Sequence, residues 1–350
     1  MKNTTKRLIK IVLGSLGVMA VAAAAVAGYL IYPGTPSSAS SLIFQGYVPL
    51  PSESTLSVLD YLTVNDDVLF VTSESTGDVY RMRLRKGSLP TVSDLTKLAG
   101  EPATHGVVID PSSHLAFVTR SEANTVDIFD PVKMAVIKRI PVADDPDALF
   151  YDEFDKLVYV ASGDSHLATL IDPATQATIA TIPLGGAPEY AAFDTSTKLL
   201  YQNLHDTSTV VAVDIAKRAV VQGWPLQGCQ APTGMAIDEV HRRLFIACNA
   251  NSMLAVFDLN ENRVVATVPI GKGPDSVAFD PELHRIYTTG KSGVLAVIQQ
   301  DEPNKYKVLD TIHLHYGAHT LTVDPATHAL YVAYAGLLVN PSVAVFVPRP

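Results

Sequence analysis

Tryptophan and cysteine are nearly absent from this chain, which holds one Trp and two Cys in 350 residues. Two cysteines, Cys229 and Cys248, are too few for a disulfide-stapled scaffold or a cysteine-rich metal cage, and their spacing excludes a CxxC redox pair. A single Trp, with no Gly-His to Trp-Asp pattern, excludes WD-type repeats. Charged residues are only 17% against 47% hydrophobic. That balance argues against disorder and for a large folded body. Also missing are a Gly-rich phosphate loop, a G-x-S-x-G elbow, an H-E-x-x-H pair and a haem C-x-x-C-H, so no catalytic motif is present.

What basic charge there is gathers partly at the start. Lys2, Lys6, Arg7 and Lys10 precede an uncharged run from Ile11 to Tyr32, 22 residues long and sufficient to span a bilayer. Residues 1–32 read as a signal anchor or signal peptide. A cut after Ala27 in "AVAG" is the alternative to retention, but the apolar run continues past it, which favours the uncleaved anchor. The basic flank keeps the N-terminus inside and exports the rest, to the periplasm or cell surface. Residues 33–41, "PGTPSSASS", read as a linker. Without the four basic residues of the anchor, 22 Lys+Arg face 35 Asp+Glu, a net of about −13. Such a body disfavours nucleic acid and anionic lipid as partners.

From residue 42 to 350 one unit recurs. "VVIDPSSHLAFVT", "LFYDEFDKLVYVA", "AAFDTSTKLLYQN", "MAIDEVHRRLFIA", "SVAFDPELHRIYTT" and "LTVDPATHALYVA" each carry an apolar pair, an Asp, a polar turn and an aromatic strand. The Asp is Asp110, Asp152, Asp194, Asp238, Asp280 or Asp324; seven residues on stands Phe117, Tyr159, Tyr201, Phe245, Tyr287 or Tyr331. A shortened first copy has Asn65 and Phe70. Runs such as "LATLID" and "ATIATIPL" supply a third and fourth strand. Seven units of roughly 40 to 45 residues predict an all-β, seven-bladed β-propeller. The last unit lacks a fourth strand, and Ser41–Leu50, "SLIFQGYVPL", has the pattern to supply it and close the ring.

"LVYVAS", "TLIDPATQATIATIPLGGAPEYAAFD" and "VFDLNENRVVATVPIGKGPDSVAFD" resemble the YVTN β-propeller repeat family, of which YncE-like exported proteins are a branch. The resemblance runs from residue 42 to 347, although the namesake tetrapeptide is replaced by "YVAS", "FIAC" and "YVAY". It implies the fold and leaves the function open.

The stretch "DTIHLHYGAHTLTVD" suggests a tri-histidine metal centre, and the repeat register argues against one. His313 falls where other blades carry Pro141, Pro183, Pro225 and Pro269, at the outer end of a fourth strand. His315 falls at a loop Gly position and reads as polar surface, while His319 starts an innermost strand. The residue five before each repeat Asp or Asn is Asp60, His105, Asp147, Glu189, Thr233, Asp275 or His319. Simple alternation puts each on one strand face with the apolar residues two and four further on, such as Val107 and Ile109. These seven form a polar collar at the mouth of the central channel. Such a collar is a hydrated strand end, a ligand or partner site, or a catalytic centre; a divalent cation would draw on His319, Asp60, His105 and Asp275.

Cys229 and Cys248 fall on the collar face of one blade, as a disulfide or as two buried thiols. Arg81, Arg83 and Arg85 alternate along one strand and read as a solvated face before a phosphate contact. The sequence therefore predicts an anchored, exported, monomeric propeller that binds a protein or small-molecule ligand at the collar, with no catalytic residues. The rival is a metal-dependent lactonase- or lyase-like propeller using His105, His319 and the neighbouring carboxylates.

Overall fold

The structure, a computed structural model, describes residues 35–50, 57–85, 89–90, 94–101, 103–334 and 341–349. The anchor predicted over residues 1–32 lies outside them. No helix among the described residues is long and apolar enough to cross a membrane. Seven four-stranded antiparallel sheets follow one another around a ring. Blade 1 spans 59–98, and blades 2 to 6 span 104–141, 146–183, 188–225, 232–269 and 274–313. Blade 7 combines 318–348 with the N-terminal strand Leu42–Pro49, which pairs antiparallel with Ser342–Pro348 from Leu42↔Pro348 to Pro49↔Ser342. The closing strand therefore comes from the segment that the repeat pattern nominated.

The repeat Asp has a local cause. In blade 3, Asp152 accepts hydrogen bonds from the Phe154 and Asp155 amides at 2.8 and 3.4 Å, and Lys156 takes φ 59° to complete the turn. Asp110, Asp194, Asp238, Asp280 and Asp324 cap their turns in the same way. Asp does this because its short carboxylate reaches amides two and three residues on. The same Asp also ties blades together: Arg242 of blade 5 donates to Asp194 of blade 4 at 2.5 Å, and His328 of blade 7 meets Asp280 of blade 6 at 2.8 Å.

The aromatic seven residues later belongs to the core. Phe70, Phe117, Tyr159, Tyr201, Phe245, Tyr287 and Tyr331 are all buried, and the apolar clusters are shared between neighbouring blades. Each blade thus buries its faces only against its neighbours, which makes closure of the ring a condition of stability.

Simple alternation fails at the top of every innermost strand. In blade 3, Pro146 pairs with Ser162 but Leu149 pairs with Val160, so an extra residue bulges out around Asp147. The register breaks at the matching place in all seven blades. The polar residue is accordingly not on the face of its i+2 neighbour, as alternation would have it. A bulge re-aims it toward the channel.

One further expectation changes. His315 is buried rather than solvated: its Nδ1 lies 2.8 Å from the Tyr316 carbonyl and its ring packs near Tyr334. The solvated face read for the basic strand of blade 1 holds at Arg83 and Arg85, which stay exposed and pair with Asp67 and Asp94. His313 is exposed at the outer end of its strand, and its backbone holds Ser37 through bonds of 3.2 and 2.9 Å.

Candidate functional site at the channel mouth

All seven predicted collar residues line one cavity of about 510 Å³ at the end of the channel where the bulges sit. The backbone carbonyls of five of them are pinned from neighbouring strands. Thr320 Oγ1 donates to the Asp60 carbonyl at 2.6 Å, Thr119 to that of Asp147 at 2.7 Å and Thr289 to that of His319 at 2.7 Å. Gln202 and Asn203 do the same for Glu189 and Thr233 at 2.8 and 2.7 Å. Such cross-strand bonds fix side-chain direction before anything binds. Gly234 permits a close approach of blades 5 and 6: a Cβ there would lie 2.6 Å from the Asp275 carbonyl oxygen.

The collar is uneven around the ring. His105 Nδ1 lies 2.6 Å from Asp60 Oδ2 and 3.5 Å from Asp147 Oδ1, and its Nε2 is 3.0 Å from Ser121 Oγ. On the other side of Asp60, His319 Nε2 is 4.0 Å from Asp60 Oδ1 and 3.9 Å from Asp275 Oδ2, while its Nδ1 donates to the Gly317 carbonyl at 3.1 Å. Thr233 contributes less than expected, since its hydroxyl donates to the Pro274 carbonyl at 3.0 Å.

Electrostatics follow from crowding carboxylates in a half-buried mouth. Burial, reinforced by Asp147, Asp275 and Asp60, pushes the Glu189 carboxyl up to about 8. Asp147 rises to about 7, again mainly through burial, although His105 opposes the shift. Asp275 is raised for the same first reason, with His319 and Lys291 pulling it back. Burial alone would lower His105, but its bond to Asp60 and the charges of Asp147 and Asp60 hold it at about 9. At neutral pH the His105 imidazolium therefore donates to Asp60 and to Ser121, while Glu189 holds its proton.

Sequence reasoning found the small residues crowded beside the collar but missed the aromatic ones among them and a second set of lining residues. Directly after the collar position stand Tyr61, Gly106, Ala148, Tyr190, Gly234, Ser276 and Thr320. Tyr61 and Tyr190, from blades 1 and 4, stack at 5.6 Å between centroids, and Phe150 of blade 3 packs edge-on against Tyr190 at 5.1 Å. These rings occupy the channel on one side and leave the cavity along blades 5 to 7, where the corresponding residues are small. Tyr61 also points its hydroxyl to Asp147 Oδ2 at 3.5 Å. The second set lies outside the collar: Glu74, His205, Asn249 and Lys291 line the cavity at the position just after each blade's second strand. The same register that located the collar locates them, eleven residues after the repeat Asp except in the shortened first blade.

Among the described residues, the group whose ligating atoms all lie within 4.8 Å of one another is Asp60, His105 and Asp147. Asp147 thus replaces His319 and Asp275 of the predicted cation set in that compact cluster. Both His105 nitrogens already have partners, which makes the cluster a closed hydrogen-bonded ion pair more than an open ligand set.

No protein-family model and no curated protein sequence matches this chain. Solved structures do resemble it. Hydrazine synthase from Kuenenia stuttgartiensis superposes with TM-score 0.70 at 15% identity over 86% of this chain and 98% of that one. Virginiamycin B lyase from Staphylococcus aureus gives 0.70 at 10% identity over 87% and 99%. A chain of the mitotic checkpoint complex gives 0.68 at 15% identity over 90% and 91%. At such identities the likeness establishes the propeller fold and nothing finer.

Proposed function

We propose that this chain is an exported, membrane-anchored propeller of the YVTN type that binds a small cationic ligand at its channel mouth and does no chemistry on it. The observation that carries this reading is the mouth itself. Four carboxyl groups, those of Asp60, Asp147, Glu189 and Asp275, converge on a cavity of about 510 Å³, within the size range of small-molecule sites. The bulges that aim them recur in every blade, and cross-strand hydrogen bonds pin the carbonyls of Asp60, Asp147 and Glu189. Export and anchoring rest on the basic and apolar segment 1–32, and the disulfide between Cys229 and Cys248 supports an oxidising compartment.

The test is a thermal-shift screen of divalent salts, polyamines and other small cations against wild type and Asp147→Asn. Compounds that stabilise wild type and lose most of their effect in the variant support the reading. If no cation shifts wild type, or if all act equally on both proteins, the reading is wrong.

A second reading, a metal-dependent propeller lyase or lactonase, is favoured by one arrangement. A carboxyl held protonated near neutrality, Glu189, shares the cavity with the Asp60–His105–Asp147 cluster, so a proton donor and a cation site would be neighbours. Virginiamycin B lyase shares the fold. The engagement of both His105 nitrogens argues against it.

A further inference from the structure

The bonds that occupy both His105 nitrogens also make up another constellation. Asp60 Oδ2 lies 2.6 Å from His105 Nδ1, and His105 Nε2 lies 3.0 Å from Ser121 Oγ. A carboxylate on one imidazole nitrogen with a serine hydroxyl on the other is the arrangement of a serine hydrolase, which is recognised by geometry and not by position in the chain. The three residues come from separate elements. Asp60 lies on the innermost strand of blade 1, His105 on that of blade 2, and Ser121 in the turn after Ala116–Arg120.

Ser121 is both accessible and held in place. It stands eleven residues after Asp110, the register that sets His205, Asn249 and Lys291 on the cavity. The residue is half-buried, and its amide donates to the Ala103 carbonyl at 2.8 Å. Arg120, directly before it, is wholly buried and tied to Asp127, the Gly77 carbonyl and Thr104. Rigid neighbours of this kind keep a reacting group in position. The next two amides, of Glu122 and Ala123, donate to no protein group among the described residues. The amide following a nucleophilic serine is a common donor to the oxyanion. Asp145 also accepts a hydrogen bond from Ser121, and Asp147 and Glu74 add negative charge around His105. His105 keeps its proton to about 9, so it donates to Ser121 at neutral pH and can accept from it at higher pH.

We propose that Ser121, His105 and Asp60 hydrolyse small neutral carboxylic esters at the rim of the channel mouth. Ser121 Oγ attacks the ester carbonyl carbon as its proton passes to His105 Nε2; the C–O bond then breaks, and the leaving alcohol takes that proton. Water attacks the acyl-serine in turn and gives a proton to Nε2, and the acid departs as Ser121 Oγ recovers that proton. Ester and water become acid and alcohol, with no other reactant. Asp60 is a positioning residue that keeps Nδ1 protonated and the ring in place. The acidic lining repels anionic substrates, which leaves neutral ones. This activity goes beyond the cationic-ligand reading of the mouth and does not depend on it.

Full-length protein in detergent is assayed with p-nitrophenyl acetate from pH 6 to 10, and separately treated with diisopropyl fluorophosphate and mapped by peptide mass spectrometry. Turnover that rises with pH to a plateau above about 9, and a phosphoryl adduct on Ser121, are expected. Ser121→Ala and His105→Gln should each lower kcat/KM at least about 100-fold, and the double variant no further, because the two act as one unit. Asp147→Asn and Asp60→Asn each remove an anion beside the imidazole, so the midpoint of the pH profile should move to lower pH, with Asp60→Asn also lowering the plateau. Circular dichroism confirms that each variant folds; should His105→Gln fail to, Ser121→Ala and the adduct carry the test. Turnover equal in wild type and Ser121→Ala, an adduct that avoids Ser121, or losses that multiply in the double variant would overturn the proposal. The thermal-shift screen reads the cation site separately, so either reading can fail without the other.

Discussion

Removing two side chains from the closing strand should unlock the whole ring. Leu42 packs into the cluster around Tyr287, Leu295 and Ile312 of blade 6, and Val48 into the cluster around Leu59, Leu69 and Tyr80 of blade 1. Both are buried, at 2% and 0% exposure. Leu42→Ala should cost about 2–5 kcal/mol, transfer and cavity terms together. Val48→Ala loses two methyl groups' worth of burial, about 1.6 kcal/mol before any cavity term. The residues belong to separate clusters, so the effects should add. The double variant then loses about 4–7 kcal/mol, a large part of the roughly 5–15 kcal/mol that holds a native protein. The single Trp provides the assay: Trp224 packs against Tyr201 and Phe257 in blades 4 and 5, on the far side of the ring. In urea, Trp224 fluorescence and far-ultraviolet circular dichroism should shift together to lower midpoints. If Trp224 keeps the wild-type midpoint while the dichroism loses amplitude early, the blades unfold separately and the closure argument is refuted.

Three other outcomes follow from the geometry. Glu189 holds its proton to about 8 in the fold but to about 4.5 in the unfolded chain. Its contribution to stability is therefore full below about 4.5 and is lost as pH rises through 8; urea midpoints measured from pH 5 to 9 should fall less steeply in Glu189→Gln than in wild type. Reducing the Cys229–Cys248 bond, which joins residues separated by 19, should cost about 3 kcal/mol, read as a drop in unfolding free energy with reductant that is absent in the Cys229→Ala/Cys248→Ala protein. Reporter fusions at residue 40 and at the C-terminus should both register as extracytoplasmic, and a cytoplasmic signal from either would remove the anchored-export proposal.

The fold was legible because the repeated residues have local or core causes that sequence expresses directly. Asp110 and its counterparts recur because each caps a turn, and Phe117 and its counterparts because each fills the space between blades. The collar residues were found by register, but not their direction. Period-two reasoning assumes an unbroken ladder, and a bulge at Asp147 or His319 leaves no mark in residue type. Tyr61 and Tyr190 escaped notice because their significance lies in meeting across the ring, between blades far apart in the chain. His315 was misplaced since a Gly position in other blades says nothing of how blade 7 packs its loop.

The most direct test of the central claim is a crystal structure of the protein with the strongest stabilising cation from the thermal-shift screen. The account predicts that ligand inside the mouth, in contact with at least two of Asp60, Asp147, Glu189 and Asp275 and beside the Tyr61–Tyr190 stack. Density for the ligand on the outer edges of the blades, or at the end of the channel where the Asp-capped turns lie, would contradict it.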